Sequence, residues 1–309
     1  MARIDVHQHL WSPALLEALA RRERAPRVRR DGHAWTLDLA GEPPSTVPGD
    51  DPVQRARLVH DDGLDRAVVA LSTALGVELL PPAEAEPLLA AWDATAATLP
   101  RELSSWAAAS LTGNLEDEAA ALRARLDGRA GLCLPAAALA TPAAVERLGP
   151  LLDALQRAGR PLFVHPGPAA VPADAPAWWP ALTDYVAQLQ AAWLAFAVAG
   201  RPAHPRLRVV FAALAGLAPL QSERLAARGG PAVAARTDTR LSYDTSSYGP
   251  HAIAWMTITV GLRQLVHGSD RPVVPFAPEA GPDLGDAAWR ALSHDNPARL
   301  LAPDPAPMP

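Results

Sequence analysis

Eight short β-type runs, most of them separated by helix-like segments, restrict the fold of this chain more than any other feature. The runs are "RIDVH" (Arg3–His7), "RAVVALS" (Arg66–Ser72), "SSWAAAS" (Ser104–Ser110) and "AGLCLPA" (Ala130–Ala136), then "PLFVHP" (Pro161–Pro166), "RVVFAAL" (Arg208–Leu214), "LSYDTSS" (Leu241–Ser247) and "QLVHGSD" (Gln264–Asp270). Helical patterns cover Asp51–Asp61, Ala83–Thr98, Leu115–Leu126, Pro142–Ala158 and Pro180–Gly200. Strands that alternate with helices build a parallel sheet, because each parallel neighbour is reached only by a crossover. Eight such strands predict closure into an α/β, (β/α)8 TIM-type barrel. The 309 residues suit one barrel domain over residues 1–302, since such barrels take about 250 residues plus insertions. Residues 24–50 break the repeat and predict a small β insertion after the first strand. Residues 303–309, a Pro-rich end, predict a flexible tail.

Composition removes several classes of function. The formal net charge of −5 gives no footprint for nucleic acid or for an anionic membrane surface. The most apolar helical stretch, Tyr185–Gly200, carries two glutamines and is too short for a membrane span. Arg3 and Asp5 interrupt the amino-terminal apolar run where a signal peptide would need it, and Cys133 is the single cysteine, so a reducing cytoplasm is the expected location. All 28 basic residues are arginine. Without lysine there is no Schiff base, no pyridoxal attachment, no nucleotide-binding lysine and no carboxylated lysine to bridge two metals.

Chemistry-bearing residues gather at the carboxyl ends of the predicted strands, where barrels of this kind carry their active sites. His7 and His9, two apart on the first strand, project from one face. His165 ends the fifth, broken at once by Pro166-Gly167, and Asp270 ends the eighth. Three imidazoles and one carboxylate converging on one point suit a divalent metal, Zn²⁺ first, with Mn²⁺, Fe²⁺ or Co²⁺ as further options.

The motifs "DVHQH", "FVHPG", "GSDRP" and the closing "HDNPARLL" resemble the amidohydrolase superfamily, in particular the amidohydrolase-related branch that includes aminocarboxymuconate-semialdehyde decarboxylase. The resemblance runs in order over essentially the whole chain. It implies a distorted (β/α)8 barrel, a mononuclear site with His7, His9, His165 and Asp270 as ligands, and a homodimer. It also implies a histidine on the sixth strand, but the aligned "FAALAGLAP" puts Ala213 there.

The leading expectation is a metal-dependent hydrolase, with metal-activated water attacking an amide, ester or lactone C–N or C–O bond of a small molecule. Asp270 is then base as well as ligand. Arg271 either clamps a substrate carboxylate or pairs with a neighbouring acid. Tyr248 and His251 are candidates to replace the missing imidazole, although His251 also reads as a solvent-facing residue at a helix start. His267 falls on the face opposite Asp270 and reads as a helix-facing core residue. The alternative activity is non-oxidative decarboxylation of a small aromatic or unsaturated acid on the same ligands. A barrel that keeps its metal but no longer turns over is the third reading, motivated by Ala213.

Overall fold

The computed structural model describes residues 2–32, 34–230, 238–274 and 284–303. β1 (Ile4–His9) is followed by β2 (Arg27–Asp31), β3 (Ala34–Asp38) and β4 (Ser45–Val47). Then come β5 (Arg66–Ala70), β6 (Leu103–Ala107), β7 (Gly131–Pro135), β8 (Leu162–His165), β9 (Val209–Phe211), β10 (Leu241–Asp244) and β11 (Leu265–Val266). β1 and β5 to β11 form one sheet in the order β1-β5-β6-β7-β8-β9-β10-β11, and every pair in it is parallel. The chain after β11 returns to β1 through Val6 N–H to His267 O (2.9 Å), Asp270 N–H to His7 O (2.9 Å) and His9 N–H to Arg271 O (2.7 Å). The sheet therefore comes round on itself as the eight-stranded barrel that the alternation predicts.

Period-2 alternation sorts the strand residues into two layers. Val68, Ala70, Trp106, Cys133, Phe163, Val210 and Val266 point inward and form a lumen cluster with Ile4 and Val6. Their neighbours Ala67, Val69, Leu132, Leu134, Leu162, Val164, Val209, Phe211, Leu241, Tyr243 and Leu265 point outward into the apolar faces of the surrounding helices. Phe163 shows what the lumen is worth. It is fully buried against Trp106 (ring centroids 5.1 Å apart) and the His7 ring (5.0 Å), so truncation to alanine should cost about 3–5 kcal/mol.

Side-chain caps fix where the helices start. Ser12, Asp51, Asn114 and Thr141 each accept a backbone N–H of the first turn, and Pro13, Pro52 and Pro142 follow three of them. The single helix expected over Pro142–Ala158 is two helices, Pro142–Arg147 and Gly149–Ala158. Pro150 has no N–H to continue the first ladder but is tolerated in the first turn of the second. The stretch Pro180–Gly200 likewise divides into Trp179–Leu182, Asp184–Ala195 and a π-turn over Phe196–Gly200.

The expected excursion after β1 is an antiparallel three-stranded sheet, β2-β3-β4. The Pro-rich tail lies beyond Pro303, outside the described residues. Among the described residues no helix is long and apolar enough to cross a membrane.

Candidate metal centre

Two features of β1 aim its histidines. Ile4 and Val6 belong to the lumen cluster, so strict alternation would next turn Gln8 inward and both histidines outward. The pairing with β5 instead shifts register between Asp5 and Gln8. Three residues of β1 span what two span on β5, a bulge that re-aims the chain and brings His7 and His9 to the lumen mouth. Asp5 then holds the turn: its fully buried carboxylate accepts His7 N–H (3.0 Å), Ser269 N–H (3.1 Å) and Gln8 Nε2–H (2.8 Å). One side chain thus ties the His7 segment to the Asp270 segment. Arg55 braces the outer side, donating to His9 O and Gln8 Oε1 (both 3.2 Å) and pairing with Asp50 (2.8 Å).

His7, His9, His165 and Asp270 each present one donor atom, and these atoms lie within 4.8 Å of one another. His9 Nε2 is 3.2 Å from His7 Nε2, 3.3 Å from His165 Nε2 and 3.1 Å from Asp270 Oδ1. His7 Nε2 is 3.4 Å from the same Asp270 oxygen. Atoms bound about 2.0–2.2 Å from one shared ion, at tetrahedral to right angles, stand about 2.8–3.6 Å apart, so these four spacings are those of ligands round a single cation.

The far side of each ring supports the same reading. His7 Nδ1 meets Asp244 Oδ2 at 2.8 Å, His9 Nδ1 meets Ala70 O at 3.3 Å, and His165 Nδ1 meets Thr73 Oγ1 at 2.7 Å and Pro166 O at 2.9 Å. With each Nδ1–H donating outward, the three Nε2 atoms turn lone pairs toward one another. That contact is repulsive unless a positive charge sits among them. Asp270 Oδ1 is buried without a hydrogen-bond partner in the same place. A divalent cation satisfies all four donors at once, so the residues fit the group.

The electrostatics state the same need. Burial would lower the His7 imidazole, but the carboxylates of Asp244 and Asp270 outweigh it and push His7 up to about 10. Burial, then His7 and His9 beside it, hold His165 well below the usual imidazole range. Burial would raise Asp270, and the histidines overcome that, holding its carboxyl below the ordinary range. Asp270 also sits in the left-handed region at φ 59°, a conformation costly for a non-glycine residue and typical of sites where geometry is imposed.

Above the four donors opens a cavity of about 260 Å³. Its walls include Val186, Leu189, Ala212 and Val274, with hydroxyls from Ser72, Tyr185, Ser246, Ser247 and Tyr248. Ala213 is in the wall where the resemblance implies an imidazole. From Ala213 to Leu217 five consecutive residues have φ between 45° and 62°, a left-handed turn. Each non-glycine residue there costs about 1–2 kcal/mol. Packing holds the turn. Gly216 O accepts Gln190 Nε2–H at 2.8 Å, and a Cβ at Gly216 would meet Val186 O at 2.9 Å. Ala213 N–H donates to Asp244 Oδ1 (3.0 Å) and Ser246 Oγ (3.2 Å), which steadies the carboxylate that orients His7.

Two expected site residues are corrected. The Arg271 guanidinium turns away from the cavity to Asp62, with Nη2 2.8 Å from its carboxylate, because the backbone of Arg271 pairs in ladder fashion with Gln8 and sends the side chain outward. His251 is exposed in the first turn of the helix Pro250–Val260 and is not among the cavity walls. Tyr248 does line the cavity, and burial raises its phenol. His267 is buried edge-on against Trp289, ring centroids 4.9 Å apart, on the helix side of β11 as expected. Sequence reasoning missed the roles of Asp5, Arg55, Thr73 and Tyr185. Asp244 has two roles, since its Oδ1 caps Ser246 N–H at 2.9 Å while Oδ2 holds His7.

No family model and no curated protein matches the chain in sequence. Solved structures match it in fold. IDCase from Metarhizium anisopliae superposes with a TM-score of 0.73 at 18% identity, covering 97% of both chains. 2,6-Dihydroxybenzoate decarboxylase from Rhizobium gives 0.69 at 13%, covering 97% of this chain and 98% of that one. 5-Carboxyvanillate decarboxylase from Novosphingobium aromaticivorans, complexed with manganese and a nitrobenzoic acid, gives 0.71 at 13%, covering 97% and 96%. The barrel has the amidohydrolase fold. The resemblance read from the motifs is thus met by the architecture. The expectation of water attack on a C–N or C–O bond is not: most of the similar structures named by activity are decarboxylases of aromatic acids, and the hydrolase reading is withdrawn. The motifs carry the four donors, and a donor set that can hold a metal does not by itself say which bond of a substrate would break.

Proposed function

We propose that this chain is a metal-dependent, non-oxidative decarboxylase of a small aromatic carboxylic acid. The observation that carries the reading is the convergence of His7, His9, His165 and Asp270 at the floor of a small, mostly apolar cavity. Its volume of about 260 Å³ is below the roughly 300 Å³ at which drug-sized ligand sites begin, which suits a single substituted ring. The cation is divalent. Three imidazole nitrogens and one carboxylate oxygen accept manganese or zinc.

A cation held by His7, His9, His165 and Asp270 would supply Lewis-acid attraction for anionic oxygens of the substrate. The protein does the rest. Val186, Leu189, Ala212 and Val274 clamp the ring faces and exclude water, so carbon dioxide leaves into a dry site. Tyr185 and Tyr248 keep their phenol protons, because burial raises both, and can donate to oxygens on the ring. A proton passed through Asp270, a carboxyl the histidines otherwise hold ionised, would reach the ring carbon as the C–C bond breaks. The electron pair of that bond becomes the new C–H bond.

One observation favours a second reading, a barrel that binds metal and acid without turnover: Ala213 carries no group to polarise or protonate substrate. Manganese-loaded protein incubated with hydroxybenzoic acids, followed for carbon dioxide release, decides between them. Release that disappears in Asp270→Asn supports the decarboxylase. Tight binding of the acids with no carbon dioxide would leave the second reading.

A further inference from the structure

Glu42 sits in the excursion after β1, just past β3, and takes no part in the chemistry above. Its Oε1 is buried and has no hydrogen-bond partner among the described residues. A desolvated carboxylate oxygen without a donor costs free energy, and in a folded protein it calls for an explanation. Its location supplies one. Glu42 lines a second cavity of about 180 Å³, with Leu39, Ala40, Leu75, Leu80 and Pro168 among the walls. Ala74 belongs to the walls of both cavities, so the two adjoin behind the loop that follows β5. Tyr185 connects them electrostatically: burial and then the negative charges of Glu42, Asp270 and Asp184 raise its phenol. The metal-side carboxylate and Glu42 therefore both lie within electrostatic range of one cavity tyrosine. The loop bearing Glu42 is also fixed. Val171 N–H donates to Gly41 O at 2.8 Å, and Gly41, at φ 81°, lies so close to Ala170 that an added Cβ would come within 2.8 Å of the alanine methyl.

We propose that Glu42 is a specificity-determining residue that receives a hydrogen-bond donor, an amino or hydroxyl substituent, carried by the aromatic acid on the side away from its metal-facing carboxylate. This rests on the reading of the barrel as a site for aromatic acids. An ionised carboxylate accepts and cannot donate, so the subsite discriminates for N–H or O–H and against a methyl or a second carboxylate at the same ring position. The excursion would then serve as one wall of the substrate site, setting which substituted acid is taken.

The test is equilibrium binding to the manganese-loaded full chain by calorimetry, with 2-hydroxybenzoate and 4-amino-2-hydroxybenzoate as probes. Wild type should prefer the amino acid. Glu42→Leu should weaken that ligand about tenfold or more and leave 2-hydroxybenzoate within about twofold, the scale of losing one charge-assisted hydrogen bond. Glu42→Gln, which keeps the shape and an acceptor oxygen, should recover part of the loss. Equal shifts for both ligands, or none, would overturn the role of Glu42 and leave the decarboxylase reading in place. Failure of wild type to bind either acid would overturn both.

Discussion

Glu78 lies in a short 3-10 turn, Val77–Leu79, after β5, fully buried, and neither of its carboxylate oxygens has a partner among the described residues. Burial pushes it up to about 8 from an ordinary 4.5. Glu78→Gln removes the titration and keeps the shape. A carboxyl raised on folding contributes fully below its unfolded value of 4.5, and that contribution is lost as the pH climbs toward 8, since the folded chain must then bury a charge or hold a proton. At pH 7 the span is 7 − 4.5 = 2.5 units, so wild type gives up about 3 kcal/mol, and by pH 8 or above about 5 kcal/mol, at roughly 1.4 kcal/mol per unit. With an unfolding entropy of about 2.1 cal/mol/K per residue over 309 residues, 3 kcal/mol is about 5 °C in Tm. Urea or thermal unfolding of both proteins from pH 4 to 9 should show curves that meet near pH 4 and diverge as pH rises, with the variant the more stable. A pH-independent gap, or a variant that loses ground as pH rises, would refute the assignment of a desolvated, unpaired carboxyl.

Three further outcomes follow from the centre. Asp244→Asn leaves the barrel folded but loses the carboxylate that orients His7, and should weaken metal affinity about 10–100-fold in a chelator competition. Arg271→Ala should leave the affinity for hydroxybenzoates within about twofold, because the guanidinium pairs with Asp62 outside the cavity; a tenfold loss in calorimetry would reinstate it as a clamp. In metal-free protein the raised His7, about 10 against 6.5 unfolded, contributes stability that is complete below pH 6.5 and lost as pH rises through 10. Bound metal requires the neutral ring, so stability curves of the loaded protein should lack that alkaline decline.

The barrel was legible because its signal is periodic and local. Val68, Phe163 and Val210 alternate with outward-facing partners as single-strand patterns say they must, and His165 and Asp270 stand where glycine or proline ends the run. The excursion was legible as an interruption of the repeat, while the role proposed for Glu42 was not. Nothing in "AGEPP" marks a carboxylate that folds back beside a cavity, because burial is a tertiary property. The aim of His7 was also hidden. Alternation alone places Val6 and Gln8 inward, and only the register shift against β5, a property of the pair of strands, reverses it. Thr73 belongs to no motif, and Asp5 opens "DVHQH" without that motif showing its role; each acts through an atom on a segment remote in sequence. Arg271 misled for the converse reason. Adjacency to Asp270 in sequence suggested a shared cavity, but the backbone of Arg271 pairs with Gln8 and its side chain goes to Asp62 instead. The proposed reaction was the least legible, because a set of residues able to hold a metal does not by itself name the bond it would act on.

Metal stoichiometry tests the central claim most directly. Protein loaded with manganese or zinc, freed of excess and analysed by elemental mass spectrometry, should hold about one equivalent per chain. His9→Ala and Asp270→Ala should hold almost none while circular dichroism keeps the wild-type spectrum. Two equivalents in the wild type, or one retained in both variants, would contradict a single cation shared by His7, His9, His165 and Asp270.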